Sequence, residues 1–206
     1  MDPRYLKRSF VTMAVYLTMT VLLGFCIFFL SLDRIECDIV MKLQNFTTNT
    51  VGIQLFQVFT YLGDFFLWGF FSVLFFFYAY FRSRQYLSIS IKLLVYLFLI
   101  TAFALLLKVS FMRARPHCTD IVVYVQESFY SYPSGHVSRG VGAIIILVGK
   151  RNAITTFLVI VAVFMLSLSR VVLGVHFPTD IFGAFFISLS MYKATEIIGC
   201  RFLKAL

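Results

Sequence analysis

Three short segments of the chain combine basic residues, histidines and a carboxylate at spacings that could do chemistry. In order, the segments are Lys108-x6-Arg115-Pro116, Pro133-Ser134-Gly135-His136 and Ser169-Arg170-x5-His176-x3-Asp180. Fixed cations suit the binding of an anionic group, and imidazoles can attack a phosphorus atom or transfer a proton. The residue types therefore indicate chemistry on a phosphate.

The cations and the glycine of these segments could bind that phosphate. A phosphate monoester or diphosphate carries about two negative charges or more at neutral pH, so binding it near hydrocarbon needs several donors. Lys108, Arg115 and Arg170 can supply the positive charge. Ser134 and the backbone N–H of Gly135, at a predicted helix start, can supply further hydrogen bonds. Gly135 also allows the backbone to approach the anion closely.

The two histidines and the carboxylate remain for the reaction itself. His176 and Asp180 are four residues apart at the head of a predicted helix, so the carboxylate can fix the tautomer of the imidazole. His176 could then attack phosphorus and form a phosphohistidine. His136 could protonate the leaving oxygen and later activate the water that hydrolyses the intermediate.

The composition shows what kind of elements must position these residues. The chain has 206 residues, of which 61% are hydrophobic and 13% charged. A soluble domain is roughly half apolar and about a quarter charged, so most of this surface is expected to face lipid. The net charge of +9 is spread without a basic run of five residues, which argues against a nucleic-acid partner.

Apolar runs predict six membrane-spanning helices and a single domain over residues 1–206. The predicted spans are Phe10–Leu32, Phe65–Phe81, about Ser88–Leu107, about Ser134–Gly149, Ala153–Leu173 and Pro178–Ile198. Ionisable residues interrupt or flank the last three, and at membrane depth such residues usually mark a site. A secretory signal is the alternative for the first run, but its length and the lack of a small-residue cleavage site favour a span.

Six spans put both termini on one side of the membrane, and the charge distribution indicates which side. The side with the termini, the expected loop at 82–92 and the turn at 150–151 carries eleven Lys and Arg and two acidic residues. The other side carries seven basic and seven acidic residues. The positive-inside rule therefore predicts cytoplasmic termini. All three motif segments then fall at extracytoplasmic helix ends.

At these residues the chain resembles the type 2 phosphatidic acid phosphatase (PAP2) superfamily, whose signature reads K-x6-RP, PSGH and SR-x5-H-x3-D. All three parts are present, between Lys108 and Asp180. The resemblance implies six membrane helices, His176 as nucleophile, Asp180 as its partner and His136 as acid and base. It implies phosphate binding by the remaining signature residues, which are Lys108, Arg115, Ser134, Gly135 and Arg170. It also implies no cofactor and no metal; the segments carry one carboxylate and no zinc-like spacing of His and Cys.

Several residues outside the signature leave alternatives open. Arg139 follows His136 on the same helical face and could contact a second phosphate or pair with Asp120 or Glu127. Arg113 and His117 are interpreted as loop residues. Two further features lie on the predicted extracytoplasmic side: Cys37 and Cys118, which could form a disulfide, and the glycosylation sequon Asn45-Phe46-Thr47.

Together these observations predict a multi-pass lipid phosphatase that acts from the extracytoplasmic side on a substrate whose tails stay in the bilayer. We favour a polyprenyl diphosphate, undecaprenyl or dolichyl, because such carriers are released on that face; phosphatidic acid or phosphatidylglycerophosphate is the alternative. A vanadate-binding haloperoxidase of the same superfamily is soluble, which six spans argue against. A non-catalytic lipid-binding or transport protein would not need His136, His176 and Asp180 together. The sequence does not indicate an oligomeric state.

Overall fold

The computed structural model describes residues 3–47, 50–149 and 152–202. Within these ranges the chain forms eight α-helices, one 3-10 helix and no strand, so the predicted all-α class is confirmed. The α-helices are α1 (Pro3–Leu30), α2 (Asp33–Phe46), α3 (Thr50–Thr60), α4 (Phe65–Arg82), α5 (Arg84–Phe111), α6 (Gly135–Val148), α7 (Ala153–Val172) and α8 (Pro178–Phe202), and the 3-10 helix is Tyr61–Gly63.

Five of the described helices are long and apolar enough to cross a membrane. They are α1 from Arg4 onward, α4, α5, α7 and α8 as far as Gly199. The fourth predicted span, about Ser134–Gly149, corresponds to α6, which is apolar but has only 14 residues. At 1.5 Å per residue α6 is about 21 Å long, less than the roughly 30 Å of a hydrocarbon core. This span therefore stays a prediction.

The loop expected at 82–92 is wrong, because α4 and α5 are joined through a single residue. Ser83 has an extended backbone, and its hydroxyl accepts a hydrogen bond from the backbone N–H of Tyr86 at 3.4 Å. Serine is a favoured helix N-cap because it satisfies a backbone N–H that has no partner within the helix. This cap starts α5 at Arg84 and places Lys92 inside the helix.

The long connection between the first two spans contains two helices, α2 and α3. Helix α2 is amphipathic and buries one side chain on each turn. Its buried residues are Glu36, Val40 and Gln44. This face of α2 packs on the ends of α7 and α8, and α3 lies along α7. Both helices therefore cover the end of the bundle to which the signature residues were assigned.

Two further contacts fix α2 to the connection between α5 and α6. The side-chain amide of Gln44 donates to the carbonyl oxygens of Val122 at 2.7 Å and Val172 at 2.8 Å. Its oxygen accepts from the N–H of Val122 at 3.1 Å. Cys37 and Cys118 form a disulfide. Helix α2 thereby holds residues 112–134 against the end of α7.

Polar contacts also join the central helices. The hydroxyl of Tyr96 on α5 donates to the carbonyl of Ser138 on α6 at 2.5 Å, and it lies 2.8 Å from the hydroxyl of Ser188 on α8. Gly142 makes room for the ring, because a Cβ there would lie 2.1 Å from Tyr96 Cζ. Interhelical hydrogen bonds and small residues of this kind hold membrane helices together, since lipid gives them little hydrophobic drive to associate.

The Cys37–Cys118 disulfide predicts a specific stability pattern. Cys37→Ser and Cys118→Ser should each lower the free energy of unfolding by about 2–4 kcal/mol, and the double variant should lose no more than either single variant. Thermal unfolding in detergent measures the loss. Cys26→Ser is the matched control, because Cys26 is a free and exposed cysteine and its replacement should leave unfolding unchanged. Additive losses, or maleimide labelling of Cys37 and Cys118 in unreduced denatured protein, would contradict the pairing.

Candidate functional site

The signature residues meet at one end of the helix bundle, around a cavity of about 260 Å³. Those that line the cavity are Lys108, Arg115, Gly135, His136 and His176. Ser134, Arg170 and Asp180 are fully buried. The structure thus brings into one region residues that span more than seventy positions of the sequence.

The backbone between α7 and α8 positions His176. Gly174 adopts a left-handed conformation with φ +74°, and a Cβ there would lie 2.5 Å from the carbonyl oxygen of Val122. A residue other than glycine would meet both strain and a close contact at this turn. The turn brings the N–H of His176 back to the carbonyl of Arg170 at 3.2 Å, and the N–H of Ser134 donates to the carbonyl of Asp180 at 3.1 Å. The starts of α6 and α8 are therefore joined.

His176 presents one ring nitrogen to Asp180 and the other to the cavity. Nδ1 lies 3.3 Å from Asp180 Oδ2 and 3.3 Å from the hydroxyl of Ser131, while Nε2 lies 3.3 Å from a guanidinium nitrogen of Arg115. Asp180 Oδ2 also accepts from the Ser131 hydroxyl and from the N–H of Phe177. An ionised carboxylate only accepts hydrogen bonds, so Nδ1 carries the proton, and the lone pair of Nε2 faces the N–H of Arg115. Burial lowers the pKa of His176 well below its usual value, even though the hydrogen bond to Asp180 raises it.

Backbone carbonyls hold the two cations at the mouth of the cavity. Lys108 Nζ donates to the carbonyl of Tyr130 and, at 3.3 Å, to that of Ser131. Arg115 donates to the carbonyls of Phe129 at 2.6 Å and Val175 at 2.7 Å. Burial lowers the pKa of Arg115, and the negative charges of Glu127 and Asp180 oppose that shift. Both cations are thus fixed in place beside His176.

Two buried polar atoms of the signature have no hydrogen-bond partner among the described residues. They are the hydroxyl of Ser134 and Nε of Arg170. Arg170 uses its other nitrogens to donate to the Thr60 hydroxyl and to Glu127. Buried polar groups are nearly always paired, so an unpaired hydroxyl and N–H suit a site whose ligand is an anion. Gly63 packs against the start of α6, where a Cβ would lie 2.3 Å from the carbonyl oxygen of His136.

Glu127 was considered in the sequence only as a partner for Arg139, but it joins three signature residues. It accepts from Arg115 at 3.4 Å and from Arg170, and it lies 3.6 Å from Nδ1 of His136. Its carboxylate is therefore the anion around which these groups gather. A sequence signal existed: the signature holds three cations and one carboxylate, an imbalance that a buried site must compensate.

Arg113 lies in the connection after α5, as expected, but its importance was missed. The residue is 8% exposed, and one guanidinium nitrogen donates at 2.7 Å to both Asp180 Oδ1 and the hydroxyl of Thr179. The other terminal nitrogen of the guanidinium donates to Asp33 at 2.8 Å and to Glu36 at 2.5 Å. Burial alone would lower the pKa of Arg113, but these carboxylates outweigh it and raise the pKa above its ordinary value.

Arg139 also lines the cavity, next to His136. Its Nε donates to the carbonyl of Gly63 at 3.1 Å, and its guanidinium lies 5.7 Å from the centroid of the Phe65 ring. Of the two alternatives for Arg139, the ion pair with Asp120 or Glu127 is not found among the described residues, and contact with a second phosphate stays a prediction. Over the described residues, no group of three or more His, Cys, Asp or Glu side chains is arranged to hold a metal ion.

Known proteins share both the sequence pattern and the fold. The sequence model of the PAP2 superfamily matches residues 89–198. Decaprenylphosphoryl-5-phosphoribose phosphatase of Mycolicibacterium smegmatis is 36% identical over 85 residues, which are 41% of this chain and 46% of that protein. The chain therefore spans about half the length of this curated relative.

Two solved structures resemble the fold. The first is the transmembrane PAP2 type phosphatidylglycerolphosphate phosphatase from Bacillus subtilis, with a TM-score of 0.73 and 21% identity over 93% of this chain and 97% of that one. The second is LpxE of Aquifex aeolicus, with a TM-score of 0.57 and 22% identity over 79% of this chain and 93% of that one. At these identities the likeness concerns the fold.

The matched region covers more than half of the chain and contains the three signature segments, from Lys108 to Asp180. The same segments meet at one cavity in the structure. The chain belongs to the PAP2 superfamily.

Proposed function

We propose that the protein is an integral membrane phosphatase that hydrolyses a lipid-linked phosphate or diphosphate, with His176 as the nucleophile. The observation that carries this proposal is the orientation of the His176 ring. Its Nδ1 faces Asp180 at 3.3 Å, and its Nε2 faces Arg115 at 3.3 Å beside the cavity. A buried neutral imidazole with a fixed tautomer and a neighbouring guanidinium is suited to attack a phosphorus atom held by that guanidinium.

The reaction has two steps. His176 Nε2 attacks phosphorus, the bond from phosphorus to the leaving oxygen breaks, and His136 protonates that oxygen. His136, now neutral, takes a proton from water, whose oxygen attacks phosphorus and breaks the N–P bond, releasing inorganic phosphate and free His176. Asp180 keeps the proton on Nδ1 and stabilises the positive charge of the imidazole when Nε2 bonds phosphorus.

The remaining signature residues are suited to hold the phosphate during both steps. Lys108, Arg115 and Arg170 offer three positive charges, and the unpaired Ser134 hydroxyl and the N–H of Gly135 offer further donors at the start of α6. Preorganised donors of this kind stabilise the charge of the transition state without having to reorganise. A phosphate would take over the contacts that Glu127 makes in the free protein.

We propose one catalytic domain over residues 1–206 with six spans, which are the five long apolar helices and α6. We place the site on the extracytoplasmic side. The positive-inside rule supports this orientation, since the side with the termini carries eleven basic and two acidic residues. The Cys37–Cys118 disulfide is an independent support, because disulfides persist mainly in oxidising compartments. It lies on the same side as the cavity, fixed to residues 112–134.

For the substrate we favour a polyprenyl-linked phosphate or diphosphate over phosphatidic acid or phosphatidylglycerophosphate. The name of the Mycolicibacterium smegmatis relative, which is 36% identical over 85 residues, includes a decaprenylphosphoryl group. Ala104 and Leu105 of α5 form an apolar side of the cavity, where the first atoms of a lipid tail could lie.

A non-catalytic lipid-binding or transport protein is the rival from another class. Binding alone would need the cations but would not need a histidine with a fixed tautomer facing them. The effect of His176→Ala on phosphate release separates the two functions.

His176→Ala should lower the rate of phosphate release by about 10³-fold or more, because the nucleophile is lost. The assay follows inorganic phosphate from a lipid phosphate in detergent with chelator present. His117→Ala is the matched control, since His117 is an exposed histidine in the connection after α5 and should leave the rate unchanged. Full activity in the His176 variant, or loss of wild-type activity in chelator, would overturn the mechanism.

With a lipid diphosphate, whose leaving phosphate oxygen depends less on an acid than an alkoxide does, His136→Ala should accumulate the phosphohistidine, because without the base the water that hydrolyses it is not activated. Turnover should fall by about 10²- to 10⁴-fold. The intermediate is measured as radiolabelled phosphate retained on the protein after an alkaline quench, with the His136→Ala/His176→Ala variant as the blank. Equal labelling of the two proteins would show that His176 does not carry the phosphoryl group.

Wild-type kcat/KM should be at least about tenfold higher for a polyprenyl diphosphate than for phosphatidic acid or phosphatidylglycerophosphate, a difference of about 1.4 kcal/mol. The comparison uses mixed micelles at the same surface concentration of each lipid. A higher value for either glycerolipid would reverse the preference and leave the phosphatase assignment intact.

A further inference from the structure

Helix α2 and the loop after α5 form an ion-pair cluster behind the His176–Asp180 pair. The cluster consists of Arg113, Glu36 and Thr179, together with Asp180 itself. Arg113 and Glu36 are 8% and 4% exposed, so both charges are removed from water. Glu36 lies outside the three signature segments, and Arg113 occupies one of the unspecified positions between Lys108 and Arg115.

The two oxygens of Asp180 have separate partners. Oδ2 faces the His176 ring at 3.3 Å and also accepts from the hydroxyl of Ser131 and the N–H of Phe177. Oδ1 accepts from Arg113 at 2.7 Å. Holding the second oxygen fixes the plane of the carboxylate, and the plane of the carboxylate sets the direction in which the His176 ring is held.

Glu36 in turn fixes Arg113. Its Oε2 accepts from the guanidinium at 2.5 Å, while Oε1 accepts from the N–H and the hydroxyl of Thr179, both at 2.8 Å. The guanidinium also lies 4.3 Å from the centroid of the Phe177 ring. A planar guanidinium can donate to two carboxylates in fixed directions at once, which an ammonium group does less well.

Helix α2 is itself anchored at two points after Glu36. The Cys37–Cys118 disulfide follows directly, and Gln44 lies two turns further on with hydrogen bonds to Val122 and Val172. Glu36 is therefore a fixed point relative to the loops that carry the reacting residues.

We propose that Arg113, held by Glu36, is a positioning residue that fixes the Asp180 carboxylate and through it the attacking orientation of His176. The inference rests on the proposed function, in which His176 attacks phosphorus. Arg113 acts on the nucleophile and not on the bound phosphate, because its two terminal nitrogens donate to Asp180, Thr179 and the carboxylates of α2. Its Nε has no partner among the described residues, but Arg113 does not line the cavity beside His176. Its loss should therefore slow the chemical step and leave substrate binding unchanged.

Arg113→Lys tests this, since it keeps the charge but cannot reproduce both contacts of the guanidinium. We expect kcat and the rate of phosphohistidine formation to fall about 10- to 100-fold, as for a misoriented reacting group, with KM within about twofold of wild type. Glu36→Gln should give a smaller loss in the same direction, because the amide oxygen can still accept from Thr179 while the charge that holds Arg113 is removed. If Arg113→Lys does not fold, the kcat of Glu36→Gln tests the positioning role instead.

Asp33→Asn is the matched control, because it removes another carboxylate contact of Arg113 at a side chain that is 65% exposed. It should change kcat by no more than about twofold, since exposed ion pairs contribute little. Thermal unfolding of each variant separates lost positioning from lost folding. Wild-type kcat in Arg113→Lys, or in Glu36→Gln where the lysine variant does not fold, would overturn the inference, as would a raised KM at unchanged kcat. Inactive wild-type protein, or an active His176→Ala variant, would instead overturn the proposed function.

Discussion

The cost of burying charge beside a membrane governs how the rest of this structure is arranged. Arg113, Arg115 and Arg170 are buried or nearly so at one end of the bundle, and each makes an ion pair with a carboxylate from another part of the chain. Breaking such a pair on one side leaves an uncompensated buried charge, which is far more costly than the pair itself. The acidic residues of the loops and of α2 are therefore as necessary to the site as the cations of the signature.

The two ion-pair groups behave differently. Around Glu127 two hydrogen-bonding groups, Nε of Arg170 and the hydroxyl of Ser134, lack partners among the described residues, and a cavity adjoins them. Around Arg113 the Nε also lacks a partner among the described residues, but the carboxylates that pair with Arg113 from Glu36 and Asp180 are at most 5% exposed and do not line the cavity, whereas that of Glu127 is 24% exposed and does. In the proposed mechanism the first group binds the phosphate and the second orients the nucleophile.

The membrane explains why the helices that carry the site need help from the loops. Lipid does not drive helices together, so polar contacts such as that of Tyr96 with Ser138 and Ser188 join α5, α6 and α8. Helix α6 is only about 21 Å long by its rise per residue, and its start is held by Gly63 and by the hydrogen bond from Ser134 to Asp180. Backbone carbonyls of residues 129–131 then fix the cations at the mouth of the cavity.

The sequence by itself determined the all-α class, most of the membrane helices and the set of residues that meet at the cavity. Hydropathy and residue spacing are local properties, and alternating spans bring Lys108, His136 and His176 to one end of the bundle. Hydropathy did not predict the one-residue connection at Ser83, because a helix cap depends on backbone geometry. Only the tertiary structure decided the partners of each charge. Arg113 and Glu36 are 77 residues apart, and the sequence assigned Glu127 only to Arg139. Which carboxylate compensates which buried cation depends on the packing of loops and of α2, and no local pattern encodes that packing.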